Sequence, residues 1–174
     1  GLGEFSLALS AGATILSLTT FIGFTFYPYI SSLAINNKEK AYMKTINISL
    51  RLILISLLIP FILVSLKIIF NSRLNFYPFT INNLDLMLSF IGYGLFAAYQ
   101  VSQPFAFALT DNIKIVRIEF TSSLVAFGLI GLILFGKQFS IHMALLTFCS
   151  YTFVNYIQAS YRNHKISKEK SFNY

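Results

Sequence analysis

Five long apolar runs, each bounded by charge or by turn-forming residues, constrain this chain more than any motif in it. They cover about Phe5 to Leu33, Ile46 to Phe70, Leu84 to Leu109, Ile115 to Phe135 and Ile141 to Tyr161. A helix needs about 20 apolar residues to cross the hydrocarbon of a bilayer at 1.5 Å per residue, and each run is long enough. A soluble protein would have to bury five such rods with too little polar surface to cover them. Only 11% of the residues are charged, against 56% hydrophobic, and lipid is the solvent that tolerates that balance. The runs lack the strict alternation of a membrane β-barrel. The expectation is an all-α integral membrane protein with five transmembrane helices, residues 1–162, followed by a basic tail at 163–174.

The basic residues orient these rods. Lys38, Lys40, Lys44 and Arg51 follow the first run, Lys114 and Arg117 follow the third, and Arg162, Lys165, Lys168 and Lys170 follow the fifth. Lys67, Arg73 and Lys137 lie at the other ends. Short connections obey the positive-inside rule, so the C-terminus is expected in the cytoplasm and Gly1 on the outer face of an inner (plasma) membrane. The net charge of +7 follows from this bias and from contact with anionic lipid, so no nucleic-acid partner is called for. No basic leader precedes the first run, and the chain is expected to lack its natural beginning.

Chemistry-bearing side chains are sparse. Cys149 is the lone cysteine, and His142 and His164 stand far apart with no acidic neighbour at helical spacing. That pattern supports no metal site, no catalytic set and no cofactor, so an enzyme is not expected. The spans do carry polar stripes. Ser89, Tyr93, Gln100 and Gln103 recur on one face of the third run, and Thr147, Tyr151, Asn155 and Gln158 on one face of the fifth. Such faces close a bundle by interhelical hydrogen bonds or line a hydrated path. Gly92, Gly94, Ala97, Ala98, Gly128 and Gly131 mark close helix approach. Pro28, Pro60 and Pro104 each remove a backbone donor and are expected to bend or open their helices. Among ionisable groups, Arg51, Arg117 and Glu119 lie about a turn inside the cytoplasmic boundary. Arg51 and Glu119 can pair, the arginines can attract an anionic substrate, or they can snorkel to the interface. Asp85, in the first turn of the third run, complements the helix dipole there.

The order of these features resembles the polysaccharide flippases of the multidrug, oligosaccharidyl-lipid and polysaccharide exporter superfamily, the O-antigen and capsule translocases. The resemblance rests on a long first span ending in Tyr27-Pro28-Tyr29-Ile30-Ser31-Ser32-Leu33 before a lysine-rich link. It rests also on Gln103-Pro104-Phe105-Ala106-Phe107-Ala108-Leu109, followed by Asp111-Asn112-Ile113-Lys114. It implies helices eight to twelve of a twelve-helix, two-lobed transporter, a partial C-terminal lobe with the N-terminal lobe and the first helix of the second lobe missing here. The implied activity is flipping of a polyprenyl-diphosphate-linked oligosaccharide across the membrane. Tyr93, Gln100, Gln103 and Asn155 would then line the cavity, and Arg51 or Arg117 would attract the diphosphate. The segment Gly136-Lys137-Gln138-Phe139-Ser140 departs from the glycine-alanine-rich turn usual in that family. The alternative expectations are a drug and cation antiporter of the same superfamily, with Glu119 as its coupling carboxylate, and a nonfunctional transporter fragment.

Overall fold

The computed structural model describes residues 10, 12–13, 17, 21, 25–71, 82–110, 117, 120–121, 123–126, 128–129, 132 and 141–168. Within that set the chain is helical, with no strand. Helix α1 comprises the described positions from 10 to 36 and is continuous over 25–36; α2 is Lys38–Asn71 and α3 is Asn83–Leu109. The described positions between 117 and 132 form α4, and Ile141–Lys168 forms α5.

Asn37 alone separates α1 from α2. Its backbone N–H donates to Leu33 O at 2.7 Å, closing α1, while its side-chain Oδ1 accepts from Lys40 N at 2.9 Å and its carbonyl from Ala41 N at 3.0 Å. One residue thus ends one helix and caps the next. The lysine-rich link expected after the first span is therefore the opening of α2. Hydropathy marks only the stretch that lipid covers, whereas lysine, glutamate and alanine keep a helix going in water. The same holds at the other end of the chain, where α5 runs past Tyr161 to Lys168 with Asn163 and Ile166 buried. Half of the expected tail is thus packed helix.

Asn82 caps α3 by accepting from Leu84 N at 3.0 Å, and Thr110, extended at φ −139°, ends it by donating to Ala106 O at 2.9 Å. The helices continue through Pro28, Pro60 and Pro104 instead of opening at them. A proline deletes one rung of the ladder, and the packing around the buried Pro60 and Pro104 holds the remaining rungs in place.

Helix α3 is central, with α2 on one side and α5 on the other, and those two meet each other only slightly. Small residues set these distances. A Cβ on Gly94 would collide with the Ser56 side chain of α2, and one on Gly92 would lie 2.5 Å from the Phe148 ring of α5. On α1, a Cβ at Gly12 would strike Ser89 and Tyr93 of α3. Ala97 and Ala98 are fully buried. Gly128 is different: it is exposed and nothing lies within 4 Å of its absent Cβ. Gly131 falls outside the described residues.

One buried cluster joins Ile30 and Ala34 of α1, Ala41 of α2, Phe105 and Ala106 of α3 and Ile166 of α5. The end of α1, the start of α2 and the ends of α3 and α5 therefore share one end of the bundle. Lys38, Lys40, Lys44, Lys165 and Lys168 stand there together. Among the described residues, α2 over Lys38–Leu66 and α3 are long and apolar enough to cross a membrane. Much of α2 is uncovered, with Leu54, Leu58 and Phe61 each more than half exposed.

Candidate functional site

The polar side chains collect at two levels along the seam between α3 and α5. At the basic end, Arg162 is 8% exposed although it lies only six residues from the end of α5. Its Nη2 donates to Gln103 Oε1 at 3.2 Å and its Nε to Asn163 Oδ1 at 3.3 Å. Asn163 Nδ2 in turn donates to Ser102 O at 2.9 Å, so the guanidinium and the carboxamide beside it grip the last turns of α3. Tyr42 of α2 joins this level through its hydroxyl, 3.2 Å from His164 Nδ1, and its ring lies 6.0 Å from that of Phe105.

At the opposite end, His142 Nδ1 and Asp85 Oδ1 are 2.5 Å apart, with the Asp85 side chain only 7% exposed and that of His142 42%. Between the two levels the helices touch closely. Tyr93 meets the Phe148 ring edge-on at 5.0 Å, and Cys149 Sγ donates to Leu88 O at 2.9 Å, a packing role for the lone thiol.

The residues singled out from the sequence divide into three groups. Gln103 and Asn155 are buried at 5% and 2% exposure, and Gln103 Nε2 and Asn155 Oδ1 have no hydrogen-bond partner. Tyr93 is half-buried against Phe148. Gln100, by contrast, is exposed, although Ala97, Ala98, Tyr99 and the residues from Val101 to Ala106 around it are buried. Helical spacing puts Gln100 and Gln103 on one face, but the neighbouring helices cover only the lower part of it. Arg51 is exposed on α2 and Arg117 on α4, and Glu119 lies outside the described residues. The structure thus brings Gln103 to Arg162, and among the described residues it shows no hydrogen bond or ion pair between Arg51 and the other candidates.

Two features escape a reading by periodicity alone. Arg162 extends the stripe of Thr147, Tyr151, Asn155 and Gln158 by four more residues, which was the available signal, but its charge suggested a solvated tail. The Asp85 and His142 pair is separated by 57 positions. Its signal lay in topology: in an up-and-down bundle alternate helices run parallel, so the first turns of α3 and α5 share an end. The chain matches no family model, no curated protein and no solved structure.

Proposed function

We propose that this chain is part of a membrane flippase that moves a polyprenyl-diphosphate-linked oligosaccharide, for O-antigen or capsule synthesis, by alternating access. The observation that carries this reading is the pair of unpartnered polar atoms inside apolar rods, Gln103 Nε2 and Asn155 Oδ1. A buried amide left unsatisfied costs about 1–3 kcal/mol, so such a group is retained where water or a hydroxyl-rich ligand can meet it. Gln100, an exposed carboxamide one turn from Gln103, extends that polar surface. A sugar headgroup offers matching donors and acceptors, while Arg117 supplies positive charge for the diphosphate. In this reading the groups lie between α3 and α5, and the rest of the transporter supplies the lobe that faces them.

The test is export in the complete transporter carrying Gln103→Leu together with Asn155→Leu. Surface glycan should fall severalfold while the protein still reaches the membrane. Wild-type glycan in a normally inserted variant rejects the assignment.

Asp85 favours a second reading, a drug and cation antiporter. It is a buried carboxylate at one end of a membrane-length helix, the kind of group that couples cargo to an ion gradient. Loss of gradient-dependent drug efflux in Asp85→Asn, with glycan export unaffected, would select this reading.

A further inference from the structure

The exposed face of α2 changes character part-way along its length. Lys40, Lys44, Asn47 and Arg51 follow one another at spacings of four, three and four, and all are exposed. That spacing keeps them in a single row on one side of the helix. The same row continues as Leu54, Leu58 and Ile62, each more than half exposed. It is a row of cations and a carboxamide that turns into bare hydrocarbon at one point, between Arg51 and Leu54.

Helix geometry places that point. From Arg51 to Asn71 the rise is about 30 Å, the thickness of the hydrocarbon layer, whereas the whole of α2 measures about 51 Å. The surplus, about 20 Å, is the cationic segment from Lys38 to Arg51, which stands above the acyl chains. The Lys44 Nζ also lies 5.8 Å from the centre of the Tyr29 ring of α1. Tyr29 packs edge-on against Phe26, with centroids 6.5 Å apart, and both rings are exposed. Aromatic rings of this kind settle at the headgroup level. Lys44 therefore stands at the headgroup level beside Tyr29, Arg51 follows two turns further along α2 with a side chain that leans back toward the helix N-terminus, and the leucines below face acyl chains.

We infer that this row is a docking surface for an anionic phospholipid, its phosphate between Arg51 and Lys44 and its chains along Leu54, Leu58 and Ile62. The inference rests on α2 crossing a membrane and not on the identity of the cargo. The charge sign selects the partner: three cations and no acidic side chain lie in the row, so a lipid with net negative charge is held and a zwitterionic one is not. The row lies on the exposed side of α2, turned away from the Gln103 and Arg162 cluster, which suits a lipid of the surrounding bilayer.

The experiment is native mass spectrometry of the full chain released from micelles after titration with phosphatidylglycerol or phosphatidylcholine. Phosphatidylglycerol should be retained in preference, and Lys44→Gln with Arg51→Gln should lower its retention at least about tenfold. The charge-preserving Lys44→Arg with Arg51→Lys should retain it, as should Lys165→Gln with Lys168→Gln, which removes charge elsewhere at the same end. Equal retention of the two lipids, or unchanged retention in the doubly neutralised variant, overturns the inference. Displacement of phosphatidylglycerol by an equimolar polyprenyl phosphate also overturns it, by giving the row to the cargo. A chain that retains neither lipid and does not partition into vesicles defeats the membrane reading itself.

Discussion

Asp85 and His142, each in the first turn of its helix, form a hydrogen-bonded pair, Oδ1 to Nδ1 at 2.5 Å, that joins α3 to α5 at the end opposite the Arg162 cluster. The seam between the two helices is therefore fastened at both ends, with Gly92 letting Phe148 in between. Two fastenings on one seam hold α3 and α5 against each other along their length.

Breaking the pair from its exposed side should cost the most. His142→Ala leaves a buried carboxylate without its partner, a loss of about 1–3 kcal/mol. Asp85→Asn keeps a hydrogen-bonding amide and should cost less. In a double-mutant cycle read by unfolding in mixed micelles, the two losses should couple by about 0.5 kcal/mol or more. Simple additivity would show that the contact contributes nothing.

The glycines of α3 and α4 should rank by what their missing Cβ would meet. Gly94→Ala drives a methyl into the Ser56 side chain close to its backbone and should destabilise by about 1–3 kcal/mol. Gly92→Ala meets the Phe148 ring, which has more freedom to turn, and should cost less. Gly128→Ala faces open space and should cost nothing. Helix content and unfolding midpoints of the three variants check the order, and an equal loss at Gly128 would contradict it.

Arginine should not be replaceable at position 162. Its planar group reaches Gln103 Oε1 and Asn163 Oδ1 through two different nitrogens, a fork that an ammonium cannot reproduce. Arg162→Lys should therefore lose most of what Arg162→Leu loses, about 1–3 kcal/mol, measured by the same unfolding assay. Full stability of the lysine variant would reduce the cluster to a question of charge.

The direction of threading can be labelled directly because Cys149 is the lone cysteine. In a Cys149→Ser background, a cysteine replacing Asn82 should react with an impermeant maleimide from outside the cell. One replacing Lys168 should react only after the cytoplasmic side is opened. Reaction of both from the same side would undo the orientation, since α3 begins and α5 ends at opposite ends of the bundle.

Much of this protein was legible without coordinates. Apolar run length and the small residues of α3 are local properties of the chain, and long apolar runs without strict alternation leave a helix as the outcome. Gly92, Gly94, Ala97 and Ala98 could be recognised because a close contact needs the absence of a side chain whatever the partner. Helix ends were less accessible: α2 and α5 extend into charged sequence because lysine, glutamate and alanine sustain a helix beyond its apolar stretch. Only the tertiary structure decided that Arg162 turns inward, that Gln103 is buried while Gln100 on the same face is not, and that Asp85 finds His142. Each of those depends on which helix lies alongside and at what height. Periodicity defines a face, and a face acquires its environment only from a neighbour that lies elsewhere in the chain.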